Sequence, residues 1–320
     1  MDSLVKRAQN NIKVSIIVPI YNAEKTIKCM LDSLQAQTMS SFEVIIIDDG
    51  STDNSPNICD EYVKKDSRFR VIHQPNAGVA MSRQIGINNA HGEYSIHADA
   101  DDWIEPTMLE EMYNQAKKEN ADIVITDYFI NNSRMWMKEN ICIQKPSSTN
   151  SSQVLIDILK NKLFGALWNK LLRTKLYQKY NVKFFYGINY CEDVLIWAQI
   201  LKHENIKICY LNKPYYHYSI NPDSITHRFN RKSYETRRAF AIKLNEILTN
   251  YKYNQAKQIA NLGIFTEGFI NNCLTKTEIK EEFKKNAHTA FHETKSLRWK
   301  LGYLMIKLRL YTIAHKLIQY

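Results

Sequence analysis

Residues 93–103 read EYSIHADADDW. A strand-like apolar run, Tyr94 to Ala98, ends in three acids within four positions, Asp99, Asp101 and Asp102. Like charges brought together at the end of a buried strand raise each other's proton affinity. They cost free energy unless a cation sits between them. Alternate carboxylates separated by a small residue, here Ala100, suit a hard divalent ion, Mn2+ or Mg2+, that holds a diphosphate. The plain alternative is a solvated surface cluster, and the apolar lead-in argues against it.

The surrounding pattern gives that strand a setting. VSIIVPIY (14–21) is a continuous β-branched run, as expected of a strand covered on both faces. Asn22 reads as an N-cap, and Ile27, Met30, Leu31 and Leu34 form one helical stripe after it. FEVIIIDDGSTD (42–53) is a second buried strand running into a polar turn. Ile58 and Tyr62 mark another helix, and FRVIHQ (69–74) a third strand. Residues 76–92 combine a glycine turn, a helix and Gly92 as a C′ stop. Glu105–Lys118 reads as a helix opened by Pro106, and ADIVITDYF (121–129) as a fifth strand. This alternation predicts an α/β fold built on a parallel-based sheet with helices on both faces. Ligands bind such sheets outside the carboxyl ends of the strands. Asn22, Asp48–Asp53 and Asp99–Asp102 all fall at such ends.

Beyond residue 130 the pattern changes. Residues 131–153 are rich in Ser and Asn and read as a loop or short hairpin. Residues 154–172 read as helical, 206–219 as a strand, and the chain as all-helical from about Arg231.

Bulk properties narrow the function classes. The 320 residues are 44% hydrophobic and 24% charged, as in an ordinary globular protein with a sizeable core. The six cysteines show no CxxC spacing, which predicts reduced thiols and neither a disulfide framework nor a zinc site. No apolar run reaches membrane-spanning length and residues 1–13 hold no signal-type apolar segment, so a cytoplasmic location is expected. The net charge of +10 calls for an anionic partner: nucleic acid, an anionic membrane or a phosphorylated substrate. Acidic strand ends would repel a phosphate backbone, so nucleic acid is not expected.

Four pieces in order, SIIVPIYNAEKTI, IIIDDGSTDNS, NAGVAMSRQIGINNAHGEY and HADADDW, resemble the nucleotide-binding half of family 2 glycosyltransferases with the GT-A fold. The likeness continues more loosely through WNKLLR, YCEDVLIWAQIL and KPYYHYSINPDSITH, a pattern similar to bacterial polysaccharide, capsule and O-antigen glycosyltransferases. It covers about the first 230 residues. It implies a GT-A domain over 1–230, with a nucleotide-sugar-binding half at about 12–130 and an acceptor-side half at 131–230. Residues 231–320 are left as a C-terminal helical extension.

The resemblance also implies roles. Pro19, Tyr21, Asn22 and Glu24 wall the nucleotide pocket, with Tyr21 against base or ribose. Asp49 reads the uracil, although DDGSTDNS taken alone is equally a turn. Arg83 faces the donor phosphates or the base. Asp99 lies toward the ribose, Asp101 holds the metal, and Asp102 is close enough to contribute. Ala100 departs from the frequent serine, and His97 from an aromatic residue; His97 reads as structural. In YCEDVLIW, acids in a first helical turn would be explained by the helix dipole alone. The resemblance instead makes Asp193 the catalytic base, with Glu192 orienting it or the acceptor. Trp168 and Lys170 would line the acceptor or phosphate side, LWNKLLR being otherwise an amphipathic helix. His227 would reach back to the metal. Tyr215, Tyr216 and Tyr218 read as sheet packing.

The implied activity is an inverting, metal-dependent transfer. A hexose or N-acetylhexosamine would move from a UDP-sugar to a hydroxyl of a glycan or lipid-linked acceptor. The alternative is a non-catalytic nucleotide-sugar binder with a regulatory role.

The tail adds a separate feature. Residues 295–320 hold six Lys or Arg and no Asp or Glu. On a helical wheel Leu297, Leu301, Leu304 and Leu308 form one apolar stripe. Trp299, Tyr303, Ile306, Leu310, Ile313 and Leu317 form another. One face would dock internally and the other on an anionic membrane surface, on a further helix or in a homodimer.

Overall fold

The computed structural model describes residues 12–132, 140–220 and 229–319; the side chain of Asn132 is not described. His227 lies outside the described residues. The chain separates into two compact units, one of residues 1–158 and 163–222, the other of 159–162 and 223–320.

The first unit is built on one nine-stranded sheet. In chain order its elements are β1 (Val14–Ile20), α1 (Ile27–Gln35), β2 (Phe42–Asp48), α2 (Ser55–Lys65) and β3 (Phe69–His73). There follow α3 (Val79–Asn88), β4 (Tyr94–His97), β5 (Trp103–Ile104), α4 (Met108–Glu119), β6 (Ile123–Asn132) and β7 (Asn140–Cys142). The rest are α5 (Ser151–Leu159), β8 (Lys170–Arg173), α6 (Lys175–Lys179), α7 (Glu192–Leu201) and β9 (Ile208–Ile220). The spatial order is β3-β2-β1-β4-β8-β6-β9-β5, with β7 on β6. β1 is parallel to β2 and β4, and β2 to β3, whereas β8 and β5 run antiparallel to their neighbours. The sheet is thus parallel across β3, β2, β1 and β4 and mixed beyond them.

Period-2 alternation divides β1 between two layers. Ile16, Val18 and Ile20 join a core with Ile27, Met30, Leu31 and Leu34 of α1, Cys59 and Tyr62 of α2, and Met108, Leu109 and Met112 of α4. Ile17 points the other way, onto Gly86 of α3. Helices therefore cover both faces, which is why β1 and β2 are buried along their whole length.

Three local expectations give way to other solutions. Residues 154–172 are not one helix: α5 ends at Leu159, and Lys170–Arg173 form a strand between β4 and β6. There the backbone completes two ladders, which outweighs the helical spacing of its leucines. Asn22 is not an N-cap, because α1 starts at Ile27. With φ of 50° it turns the chain back, accepting from Thr52 N–H at 2.8 Å while its own N–H donates to Ser51 Oγ at 3.0 Å. Gly92 lies beyond the actual α3 cap, Asn89. A Cβ there would sit 2.5 Å from the backbone nitrogen of Ser15, so glycine permits the close approach of this turn to β1.

The second unit contains α8 (Arg231–Ile247), a 3-10 turn at Tyr251–Tyr253, α9 (Asn254–Ile270), α10 (Lys276–His292), α11 (Leu297–Lys307) and α12 (Tyr311–Gln319). Capping boxes open α8, at Asn230 and Ser233, and α10, at Thr275 and Glu278. Its core joins Leu262, Phe265 and Phe269 to Phe283, Tyr303, Ile306 and Ile318.

Candidate active site

The carboxyl ends of β1, β2 and β4 carry the polar turns that surround the site. After β1, Tyr21 stands 52% exposed. Asn22 and Glu24 clasp the turn after β2: Glu24 accepts from Asn54 N–H, and its own N–H donates to Asp53, each at 3.0 Å. Pro19 is buried within β1.

Asp49 is also buried. One carboxylate oxygen accepts from Gln74 Nε2 at 2.7 Å and Ala77 N–H at 2.8 Å, and the other from Gly78 N–H at 2.8 Å. The residue fixes the loop that leads into α3, and one oxygen is left with a single protein donor. Gly78 has φ of 89°, and a Cβ there would collide with Asn189. Asn189 in turn accepts from Ala80 N–H at 3.2 Å, which ties the start of α3 to the loop before α7.

Arg83 of α3 is the centre of the arrangement. Its side chain is 5% exposed. Nη2 donates to Asp99 at 2.8 Å, and Nη1 to both Glu192 and Asp193 at 2.5 Å. Glu192 and Asp193 open α7, so one guanidinium links the acid turn after β4 to the first turn of a helix more than 90 residues away. Burial works against the charge on Arg83. The carboxylates of Asp193, Asp99 and Glu192 outweigh it and raise its proton affinity.

Three acids share this one cation, and two of them, Glu192 and Asp193, depart from ordinary carboxylates. Burial pushes Asp193 up to about 7 against the pull of Arg83, with Glu192 and Asp99 adding to the rise. Burial raises Glu192 as well. The Leu167 N–H is the second donor to Asp193, reaching Oδ2 at 3.2 Å.

Truncating Arg83 to alanine would leave the largely buried Glu192 and Asp193, and the part-exposed Asp99, without their cation. Breaking a buried ion group from one side costs about 3–5 kcal/mol. Urea unfolding at pH 7 is expected to show a loss of that size for Arg83→Ala. A loss under about 1 kcal/mol would mean that the three acids do not depend on it.

The acid turn is held from the far side of the sheet. Tyr216 of β9 is buried; its hydroxyl donates to Asp102 at 2.7 Å and accepts from Asp99 N–H at 2.9 Å. Ser219 N–H donates to the other Asp102 oxygen at 2.8 Å. Asp102 is 1% exposed. Burial, with Asp99 and Asp101 nearby, lifts its carboxyl to about 9. Asp102 therefore props the turn, with each of its oxygens held by a protein donor.

Asp101 behaves differently. Burial and then Asp99 raise it to about 6, and among the described residues no protein cation pairs with it. An uncompensated carboxylate beside Asp99 fits a divalent ion with oxygen ligands. Among the described residues no three His, Cys, Asp or Glu side chains gather as a ready metal cage. Further oxygen ligands would have to arrive with a ligand.

Trp168 and Lys170, expected on the acceptor or phosphate side, are interior residues. Trp168, 2% exposed, stacks on Tyr216 with ring centroids 4.2 Å apart. Lys170 Nζ donates to the carbonyls of Phe164 and Ala166 and to Asn169 Oδ1, at 2.7 to 3.0 Å. Burial draws its ammonium down to about 7, against Asp193. It shapes the 164–167 loop that presents Leu167 N–H to Asp193. His97 is buried beside Tyr177, and burial, followed by Arg83, keeps it neutral.

Sequence reasoning missed the brace from Tyr216. Its period-2 position beside Tyr218 signalled packing, and nothing local signals the hydroxyl's partners. Asn189 was missed too, although an Asn shortly before an acid pair was visible.

A model of the Glycosyl transferase family 2 domain matches residues 15–180, which include β1 to β4 and the acid turn. The chain belongs to this family. EpsH of Bacillus subtilis is 36% identical over 227 residues, 70% of this chain and 65% of EpsH. EpsJ of the same organism is 33% identical over 220 residues, 67% of this chain and 62% of EpsJ. The family 2 chain thus spans less than two thirds of the length of these curated relatives. Among solved structures, S. aureus TarS 1-349 aligns with a TM-score of 0.68 over 96% of this chain and 90% of that chain, at 21% identity. At that identity the likeness establishes the GT-A fold.

Proposed function

We propose that this family 2 chain is an inverting, metal-dependent glycosyltransferase. It moves a hexose or N-acetylhexosamine from a UDP-sugar to a hydroxyl of a glycan or lipid-linked oligosaccharide in bacterial surface polysaccharide synthesis. The observation that carries the reading is the Arg83 clamp. An acid of the turn suited to a nucleotide diphosphate, Asp99, and an acid with a base-like proton affinity, Asp193, share one guanidinium. In support, TarS has been solved in complex with UDP and with UDP-GlcNAc.

The nucleotide lies at the carboxyl edge, with Tyr21 against base or ribose and the open oxygen of Asp49 toward the base. Asp99 faces the ribose. Asp101 holds the cation, which when bound neutralises charge on the diphosphate. The acceptor hydroxyl attacks the anomeric carbon from the face opposite the diphosphate. Its proton passes to Asp193 Oδ2, the more loosely held oxygen, as the new C–O bond forms. The bond to the diphosphate breaks and UDP leaves with that electron pair. Glu192 and Arg83 keep Asp193 oriented. A base near pKa 7 is matched to work at neutral pH.

Thermal unfolding with UDP, GDP or dTDP, each with and without Mn2+, tests the donor side. UDP with Mn2+ is expected to give the largest rise, followed by UDP release from a panel of UDP-sugars. Equal shifts with all three nucleotides would overturn the uridine assignment. Tight UDP binding with no turnover of any donor would favour a non-catalytic binder.

A further inference from the structure

The second unit carries an exposed apolar face on α11. On a helix advancing 100° per residue, Leu297, Leu301, Leu304 and Leu308 fall within an arc of about 60°. They are 74%, 44%, 37% and 56% exposed. The opposite side of α11 is already satisfied: Gly302, Tyr303 and Ile306 are buried, and the Tyr303 hydroxyl is 2.8 Å from Thr266 Oγ1. The leucine stripe is therefore a second apolar face, of the kind that marks an interaction site.

Charge identifies what fits it. Lys300 and Lys307 border the stripe on one side and Arg298 on the other. Arg309, with φ of 62°, follows in the turn to α12. Residues 295–320 contain no acid to offset them. A second copy packed about a two-fold axis would bring these cations onto their own counterparts. Nucleic acid would meet the cations but leave four leucines in water. An anionic bilayer satisfies both, because leucines enter the acyl boundary while Lys and Arg stems reach out to phosphates.

We propose that α11 binds the surface of an anionic membrane, with its leucine stripe in the headgroup boundary and Lys300 and Lys307 on lipid phosphates. This goes beyond the transfer reading and does not depend on it, since the binding needs no nucleotide. No described helix is long and apolar enough to cross a membrane, so the contact is interfacial.

The test is co-sedimentation of the full chain with vesicles of phosphatidylcholine alone or of a three-to-one mixture with phosphatidylglycerol. Binding is expected to the mixture, at least tenfold weaker to the neutral vesicles, and weaker as NaCl is raised. The double variant Leu301→Glu/Leu304→Glu should lose binding at least tenfold. Lys300→Gln/Lys307→Gln should lose about 25-fold, roughly fivefold for each cation near the surface. These side chains are solvent-facing, so unfolding midpoints should match the parent, and a matched midpoint separates lost binding from misfolding. Equal binding to both vesicles, or none, would overturn the proposal. So would a dimer broken by Leu301→Glu in a chain that ignores vesicles, or vesicle binding unchanged in both double variants.

Discussion

Asp193→Asn is expected to lower kcat about 100- to 10,000-fold with little change in UDP affinity. A positioned general base contributes a factor of that size. Asparagine keeps the shape and can still meet the Leu167 N–H, but it cannot take the hydroxyl proton. Initial rates with a saturating donor, alongside UDP titrations, separate the two effects. Near-normal turnover in Asp193→Asn would show that the proton goes elsewhere. The pH profile gives an independent check. Burial raises Asp193 to about 7, so the carboxylate form is populated above that pH and lost below it. In the parent, kcat/KM, which reports the free enzyme, should fall tenfold per pH unit on the acid side of about 7. This limb should vanish in the variant.

The second large effect belongs to Asp101. Asp101→Ala should abolish metal-dependent UDP binding. A ligand at 100 times its Kd stabilises the folded state by about 2.7 kcal/mol, and the variant should lose that increment when UDP and Mn2+ are present together. Without ligands the sign reverses. Asp101 in the fold is raised to about 6, above the ordinary carboxylate value. Its ionisation therefore opposes folding above pH 6, and this penalty fades as pH falls toward 4. The ligand-free variant should melt at the parent temperature or above it near pH 8 and show no advantage near pH 4. A variant that keeps its full UDP and Mn2+ shift would place the cation on other residues.

Much of this architecture was legible in advance because its signals are local. β1, β2 and the acid turn were readable from unbroken β-branched runs that end in polar turns. Such runs require burial on both faces whatever follows them. β8 was not readable: four residues whose neighbours in the sheet are β4 and β6 carry no periodicity of their own. The acids of the site were visible by type, but their division of labour was not. Asp101 and Asp102 are adjacent in sequence, yet one is left without a cation and the other is bonded to Tyr216 and Ser219. The partners that make them different lie more than 110 residues along the chain. Lys170 differs: its three acceptors lie within six residues of it, and only the fold of the 164–169 segment turns them onto its ammonium.

The position of β8 has a consequence for how the molecule comes into being. It lies between β4 and β6 although it follows both in the chain, and β9 returns to run parallel with β6. A nascent or truncated chain ending after β6 would show the bare edge of β4 and an Arg83 still waiting for Glu192 and Asp193. Unpaired edges of that kind invite association with other chains. Closure of this sheet depends on contacts between distant segments, which form late and slowly. The parallel half of the sheet is thus not a free-standing module. The Arg83 cluster and the completed sheet both need segments that follow β6 in the chain.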